Sequence, residues 1–566
     1  MSAVKQLTKA HESRLAIEKL YVGMRHLFNR GFYKPYGESG RQLRDALLTL
    51  QPEIYGSIDD PNKVELDGLV YVMDRLPKGI AECRNIKLVS EEGYYQSGFE
   101  VIIPRHRRRN CYRVDKDQML IEVTRGSSEI YDILTHLTFL YIEAEKIKNY
   151  AFDYKGRPSL DWLKLESIVL EGKKITEKNK QIAFSYLSSL LGRTFEETEK
   201  AYQRLQANVD RNNGLFHIVY WLGKVAYEEQ ANNKVREVYF SPALRERNGQ
   251  HIYGERWSNR IKHFLKNSNL HQKPIHIISA NLHSVMNYLY ARAALPRTAI
   301  KGKKFEKIAV ELSKSKNSKL RDSVAAYATK HGMTWLDDDT GTGISVQIFD
   351  TSKLVTNKLP KSLAVDSQYL EKKTPVIIVM DFAFGEQAYE TMDELLKTPE
   401  IDGECISLDV KSISIMGKAG ILEGSKGDLM IPTSHIFEGT ADNYPINNGL
   451  KASDFEGNGL KVFEGPMITV LGTSLQNKDI LSYFKESSWR AIGLEMEGAH
   501  YQKAIQAQAM IRKNISQKVV TRYAYYASDN PLLTGNTLAS GSLGLVGVIP
   551  TYLITHKILE KIFNPQ

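Results

Sequence analysis

Gly493-Leu494-Glu495-Met496-Glu497-Gly498-Ala499-His500 is the stretch on which the reading of this chain turns. Apolar Ala491 and Ile492 lead into two carboxylates that bracket a methionine, and a helical run follows from Gly498 to Ile511. A second strand, Val519 to Tyr526, then ends on Ala527-Ser528-Asp529-Asn530. Two acidic groups therefore stand at the carboxyl ends of two successive strands, where open α/β sheets place their ligand crevice.

Outward from this stretch the same alternation continues. Ile275-His276-Ile277-Ile278-Ser279 reads as a short buried strand, followed by a helix from Leu282 to about Ala294. Lysine-rich helical runs are predicted over about 304–314 and 318–331, and the Asp/Thr/Gly-rich stretch Asp337–Gly343 reads as a loop. Pro375-Val376-Ile377-Ile378-Val379-Met380 is a continuous apolar strand of the sort buried on both faces. Phe384-Gly385-Glu386-Gln387-Ala388 opens the next helix, which runs to Leu396. Ser412–Met416 is a further strand, ending in Gly417-Lys418-Ala419-Gly420 and leading to Gly424, Gly427 and Asp428. Asp428–Ile431, Met467–Leu471 and Ala491–Met496 follow as strands, and the amphipathic helix Thr551–Phe563 packs back on them. Strands alternating with helices predict an α/β layered domain with a largely parallel sheet.

Residues 1–265 read differently, as a mainly helical α+β domain. Ile17, Leu20, Tyr21 and Met24 recur at helical spacing, as do Ile133, Leu134, Leu137 and Leu140. A strand pair, Gly98–Pro104 and Met119–Val123, interrupts the helices. Between them Arg105–Arg113 carries five arginines in nine residues. Such a basic turn suits bidentate capture of a phosphate, and equally a solvated hairpin tip or an intersubunit salt-bridge patch. The polar segment Tyr253–Pro274 looks like a boundary, which divides the chain into 1–265 and 266–566.

At 566 residues the chain is too long for a single core. Its apolar share of 42% and charged share of 25% are those of a globular protein. Cys83, Cys111 and Cys405 are too far apart in sequence for a disulfide framework or a metal-ligand cluster, which fits a reducing compartment. No signal-peptide core is present in Met1–Leu20. The longest apolar run, Leu543–Ile554, is broken by Pro550 and is too short for a bilayer. A cytoplasmic protein without membrane partners is expected. The net charge of +10 is dispersed among 66 acidic residues, which argues against nucleic acid and suits a phosphorylated substrate.

The Glu-Met-Glu stretch, the Ser-Asp at the next strand end and the two glycine segments, in this order over roughly 275–563, resemble the purine nucleoside phosphorylase/nucleosidase superfamily. Met380–Ala388, Gly465–Val470 and Asn443–Asn448 make the chain most similar to its AMP nucleosidases, and the large separate N-terminal region agrees, since those proteins carry an extra domain linked to regulation. The resemblance implies a three-layer, nucleoside phosphorylase-like α/β fold for the C-terminal domain. It implies cleavage of an N-glycosidic bond, with Asp529 protonating the departing purine, Glu497 gripping the ribose hydroxyls and Met496 packed on the sugar. Glu495, Ser528, Gly417, Lys418, Ala419 and Gly385 are further candidate substrate contacts. The residue types fit this chemistry: a purine anion leaves poorly unless protonated, and the ribosyl cation must be stabilised and held still. The two glutamates equally read as acids at a helix N-terminus.

This sequence departs from the family in one respect. Hydrolytic members carry a glutamate just after the first strand, where this chain reads Ala280-Asn281-Leu282-His283-Ser284. His283 is a candidate base or ligand to the 5′ group, or a structural histidine. Lys418 and Arg522 are candidates for a 5′-phosphate. The expected reaction is AMP plus water giving adenine and ribose 5-phosphate, in purine salvage, without metal or cofactor, by a homo-oligomer. Phosphorolysis, action on unphosphorylated nucleosides, and a non-catalytic nucleotide sensor remain open alternatives.

Overall fold

The computed structural model describes residues 8–107, 109–172, 175–176, 179–206, 213–301, 303–401, 403–533 and 543–565. Arg108 of the basic turn and residues 1–7 of the Met1–Leu20 stretch lie outside the described residues. The chain divides into two compact units, Met1–Gln250 with Ser474–Ile480, and His251–Thr473 with Leu481–Gln566. The polar stretch read as a boundary contains the helix Ile252–Asn267, whose Trp257, Ile261 and Leu265 are buried.

The first unit is built on a six-stranded sheet. Its strands are β1 (Phe32–Tyr33), β2 (Asn85–Val89), β3 (Glu100–Ile102), β4 (Cys111–Arg113), β5 (Gln118–Glu122) and β6 (Glu237–Phe240), in the spatial order β1-β6-β2-β5-β4-β3. The helix Ser127–Ala151 is buried on nearly every side, as its apolar content on all faces requires. The expected strand pair is corrected here. β3 pairs with Cys111–Arg113, inside the arginine-rich segment, and that strand in turn pairs with β5. Arg107, Arg109 and Arg113 are held by carboxylates of the same unit. Arg109 lies 3.3 Å from Glu129 and 3.4 Å from Asp132, Arg107 lies 3.5 Å from Asp132, and Arg113 lies 3.2 Å from Glu82.

The second unit contains strands β7 (Ile275–Ser279), β8 (Met333–Leu336), β9 (Val346–Asp350), β10 (Val376–Met380), β11 (Glu400–Ile401), β12 (Glu404–Cys405), β13 (Val410–Ile421), β14 (Leu429–Phe437), β15 (Asn443–Pro445), β16 (Val462–Thr469), β17 (Gly493–Glu495) and β18 (Val520–Asp529). β11 and β12 form a separate hairpin, and the others form one ten-stranded sheet. Alternate residues serve two cores. Val376, Ile378 and Met380 of β10 join the core shared with helices Ile252–Asn267, Gln387–Leu396 and Gly498–Gln506. Ile377 and Val379 join the core shared with helices Leu282–Ala294, Phe305–Ser313 and Val548–Phe563. Helices thus cover both faces of β10, and its run of apolar residues follows from that.

The sheet is mixed rather than largely parallel. β7 is parallel to β10 and β13, β13 to β18, and β16 to β14 and β17. β9 is antiparallel to β8 and β10, β13 to β17, and β14 to β15 and β18. The physical reason is closure: β13, β18, β14, β16 and β17 pair in a ring, which removes open edges from this half of the sheet. The expected turn at Gly417–Gly420 is also corrected. β13 runs through these residues because β18 pairs with them, and the chain turns only after Ile421. No helix among the described residues is long and apolar enough to cross a membrane.

Candidate active site

β13 pairs with β7 as far as Ile415↔Ser279, and on the same edge takes up β17 from Gly420↔Leu494. Met416–Ala419 therefore border a gap between the carboxyl ends of β7 and β17, which approach it from opposite directions. Gly420 faces Leu494 on one side and Asp529 on the other, which sets those two backbones about 10 Å apart. Gly417, Lys418 and Ala419 lie on β13, Met496 and Glu497 directly follow β17, and Asp529 closes β18.

Glu497 follows β17 and stands at the start of helix Gly498–Gln506. Its carboxylate accepts the N–H of Gly385 at 3.0 Å, which joins the turn after β10 to the turn after β17. Gly385 has φ +57°, a conformation that favours glycine. Met496 is half-buried beside it.

Glu495 is differently engaged. One oxygen accepts the N–H groups of Glu497 and Gly498, and the other meets the Thr469 hydroxyl, which itself accepts the Ala499 N–H at 2.8 Å. Burial pushes Glu495 up to about 8, with the neighbouring Glu497 adding to the effect. It organises the helix start. Gly498 is obligatory in this packing, because a Cβ there would lie 2.3 Å from the His435 ring and 2.8 Å from Glu495.

Asp529 is 1% exposed. Between Ala419↔Ala527 and Gly420↔Asp529 the register shifts, so Ser528 is an extra residue in a β-bulge, a device that re-aims side chains at a strand end. The Ser528 hydroxyl reaches the Ala419 carbonyl at 3.1 Å and also Oδ1 of Asp529. Oδ2 of Asp529 is buried without a hydrogen-bond partner among the described residues. Burial raises the Asp529 pKa, opposed by Ser528, Lys426 and Lys418. Lys418 is exposed on β13, two residues from Gly420, and its charge is felt by Asp529.

Arg522 stands apart from these residues. Arg522 lies seven residues before Asp529 on β18, about 23 Å along the strand. It is buried and points to the carbonyl of Lys561 at 3.5 Å, so the structure does not bring it to the gap. His283 sits in the first turn of helix Leu282–Ala294, where the Asn281 side chain caps its N–H at 2.8 Å. Burial and Arg321 lower its pKa, and the carboxylate of Asp381 opposes them.

The sequence reading did not single out Asp381, Phe382 or Tyr501 as site residues, although the first two fall in the quoted Met380–Ala388 stretch. Phe382 reaches the β13 side of the gap, Tyr501 reaches the end of β7, and Asp381 directly follows β10. Phe382 is 45% exposed, and its ring lies 3.4 Å from where a Cβ on Gly417 would stand. The Tyr501 hydroxyl is 3.1 Å from Ser279 Oγ and feels both Glu497 and Asp381. The available signal was position: Asp381 and Phe382 directly follow a buried strand. Elsewhere, His251, Asp393 and Glu394 lie close enough to share a metal ion. Asp393 is already held by Gln508 at 2.8 Å and by Arg512, and Glu394 by Lys397 and by His251 at 3.3 Å, so this cluster is balanced by the protein's own cations.

A family of unknown function, DUF6909, matches residues 41–302 and 308–564, and the chain belongs to it. No curated protein matches the sequence. Among solved structures, 5′-methylthioadenosine/S-adenosyl homocysteine nucleosidase of Campylobacter jejuni is similar at 12% identity and a TM-score of 0.31, over 51% of this chain and 98% of that one. Futalosine hydrolase of Helicobacter pylori is similar at 13% identity and a TM-score of 0.29, over 51% and 97%. AMP nucleosidase of Bacteroides thetaiotaomicron is similar at 14% identity and a TM-score of 0.29, over 56% and 100%.

Proposed function

We propose that the second unit hydrolyses the N-glycosidic bond of a purine nucleotide, with AMP plus water giving adenine and ribose 5-phosphate. One juxtaposition carries this reading. Glu497, tied to Gly385, directly follows β17, and Asp529, buried with one oxygen that has no hydrogen-bond partner among the described residues, closes β18; these two strands flank Gly420. A carboxyl group whose pKa is raised by burial keeps its proton for a leaving group, while an ionised carboxylate steadies a ribosyl cation. Asp529 donates to the purine, Glu497 holds the ribose hydroxyls, and Met496 packs on the sugar. The order of the motifs along the sequence, and their resemblance to the nucleosidases, support the same roles.

With Arg522 distant from the gap, we take Lys418, whose charge acts on Asp529 together with that of Lys426, as the partner of the 5′-phosphate. The full chain incubated with AMP, adenosine and inosine, with and without phosphate, tests the reading through the base and sugar released. Lys418→Ala is expected to raise KM for AMP about tenfold, the worth of one charge-assisted contact, and to leave KM for adenosine unchanged. An equal effect on both substrates would remove Lys418 from the phosphate site.

A further inference from the structure

We propose that Asp381 is the general base that activates the attacking water, at a strand end beside the segment after β7 that carries no carboxylate. The inference rests on the hydrolytic reading above. β10 and β7 run parallel with Met380 opposite Ser279, and the Ala280 N–H donates to the Met380 carbonyl at 3.0 Å. Asp381 therefore leaves the sheet at the level of Ala280 and Asn281, one strand over.

Its carboxylate is held but not saturated. Oδ1 accepts the Phe382 N–H at 2.9 Å, and the Asp381 N–H is anchored on the Ser345 carbonyl at 3.0 Å. Oδ2 makes no hydrogen bond among the described residues. Tyr501 holds the loop that carries Asp381 against the end of β7: its buried hydroxyl lies 3.1 Å from Ser279 Oγ and hydrogen-bonds the backbone of Ala383, two residues after Asp381. Gly385, four residues after Asp381, donates to Glu497, so the proposed base and the sugar-holding carboxylate share one short loop spanning at most about 14 Å. Burial raises the Asp381 pKa toward that of a competent base, and His283 moderates the rise.

The step balances. The water oxygen bonds to the anomeric carbon as one water proton passes to Asp381. The carbon–nitrogen bond breaks, its electron pair goes to the purine, and the Asp529 proton goes to the purine ring. Solvent then takes the proton from Asp381 and returns one to Asp529. A carboxylate at the nucleophile position also repels phosphate, which selects water.

The test uses the full chain and AMP, with adenine release as readout. Asp381→Asn is expected to lower kcat by about 100-fold or more with KM within about threefold, the signature of a lost general base. Added azide, which attacks without deprotonation, is expected to restore adenine release and to yield a ribosyl azide 5-phosphate. Asp381→Glu is expected to keep about a tenth of the activity or more. Where Asp381→Asn shifts the unfolding transition, Asp381→Ala takes its place. Activity within about threefold of wild type, a loss confined to KM, or a kcat loss that azide does not rescue in a variant with unchanged unfolding overturns the assignment. If the wild-type chain releases no base, the failure belongs to the proposed function and is seen before any variant is made.

Discussion

The carboxylate of Glu497 accepts the N–H of Gly385 at 3.0 Å across 112 residues of chain. The bond fixes the turn after one strand against the turn after another. Glu497→Gln keeps an acceptor oxygen for Gly385 and removes the negative charge. The variant is expected to unfold at the same temperature as wild type and to lose about 100-fold in kcat/KM, in the range for losing one electrostatic stabiliser of the transition state. Calorimetry and initial rates check the two halves separately.

Asp529 acts in its protonated form, and burial raises its pKa. Activity is therefore expected to fall as pH rises through that pKa, because the ionised group has no proton to donate. Asp529→Asn is expected to abolish turnover and leave the fold intact, which circular dichroism confirms beside a kcat/KM–pH profile. Near-normal turnover in that variant would remove the acid from the mechanism.

Glu495 gives a stability prediction of opposite use. Its native pKa is raised from 4.5 to about 8, so between these values the native state holds a proton that the unfolded chain has released. Stability is then full below about pH 4.5, declines as pH rises toward 8, and levels above it. Glu495→Gln mimics the protonated side chain and is expected to flatten this decline, as read from urea midpoints across the range.

The glycines of the site separate by packing. Gly498→Ala would press a methyl group against the His435 ring from 2.3 Å and is expected to cost about 1–3 kcal/mol or more. Gly417→Ala meets Phe382 at 3.4 Å, an ordinary contact, and is expected to fold with near-normal stability. Urea unfolding of the pair measures the difference.

The sequence showed much of this at the level of pattern. The apolar run Val376–Met380 was legible because burial on both faces leaves no room for polar residues. The ring of β13, β18, β14, β16 and β17 was not legible, since closure depends on long-range pairing that no local periodicity records. Strands β8 and β9 were missed because each is short and partly polar, while the loop between them was recognised by its turn residues. Motif and order marked Glu497 and Asp529 as candidates at two strand ends, and the structure has Glu497 just after β17 and Asp529 closing β18. For Arg522 the seven-residue spacing to Asp529 concealed about 23 Å of extended strand between the two. Asp381 went unweighed because its neighbours, β7 and Tyr501, come from remote parts of the chain.

The most direct measurement is chromatography of the wild-type chain incubated with AMP in phosphate-free buffer, resolving both the base and the sugar released. Equimolar adenine and ribose 5-phosphate are the products expected when an acid at 529 and a carboxylate at 497 work on one glycosidic bond. AMP returned intact after long incubation, with adenosine and inosine equally untouched, would contradict the account.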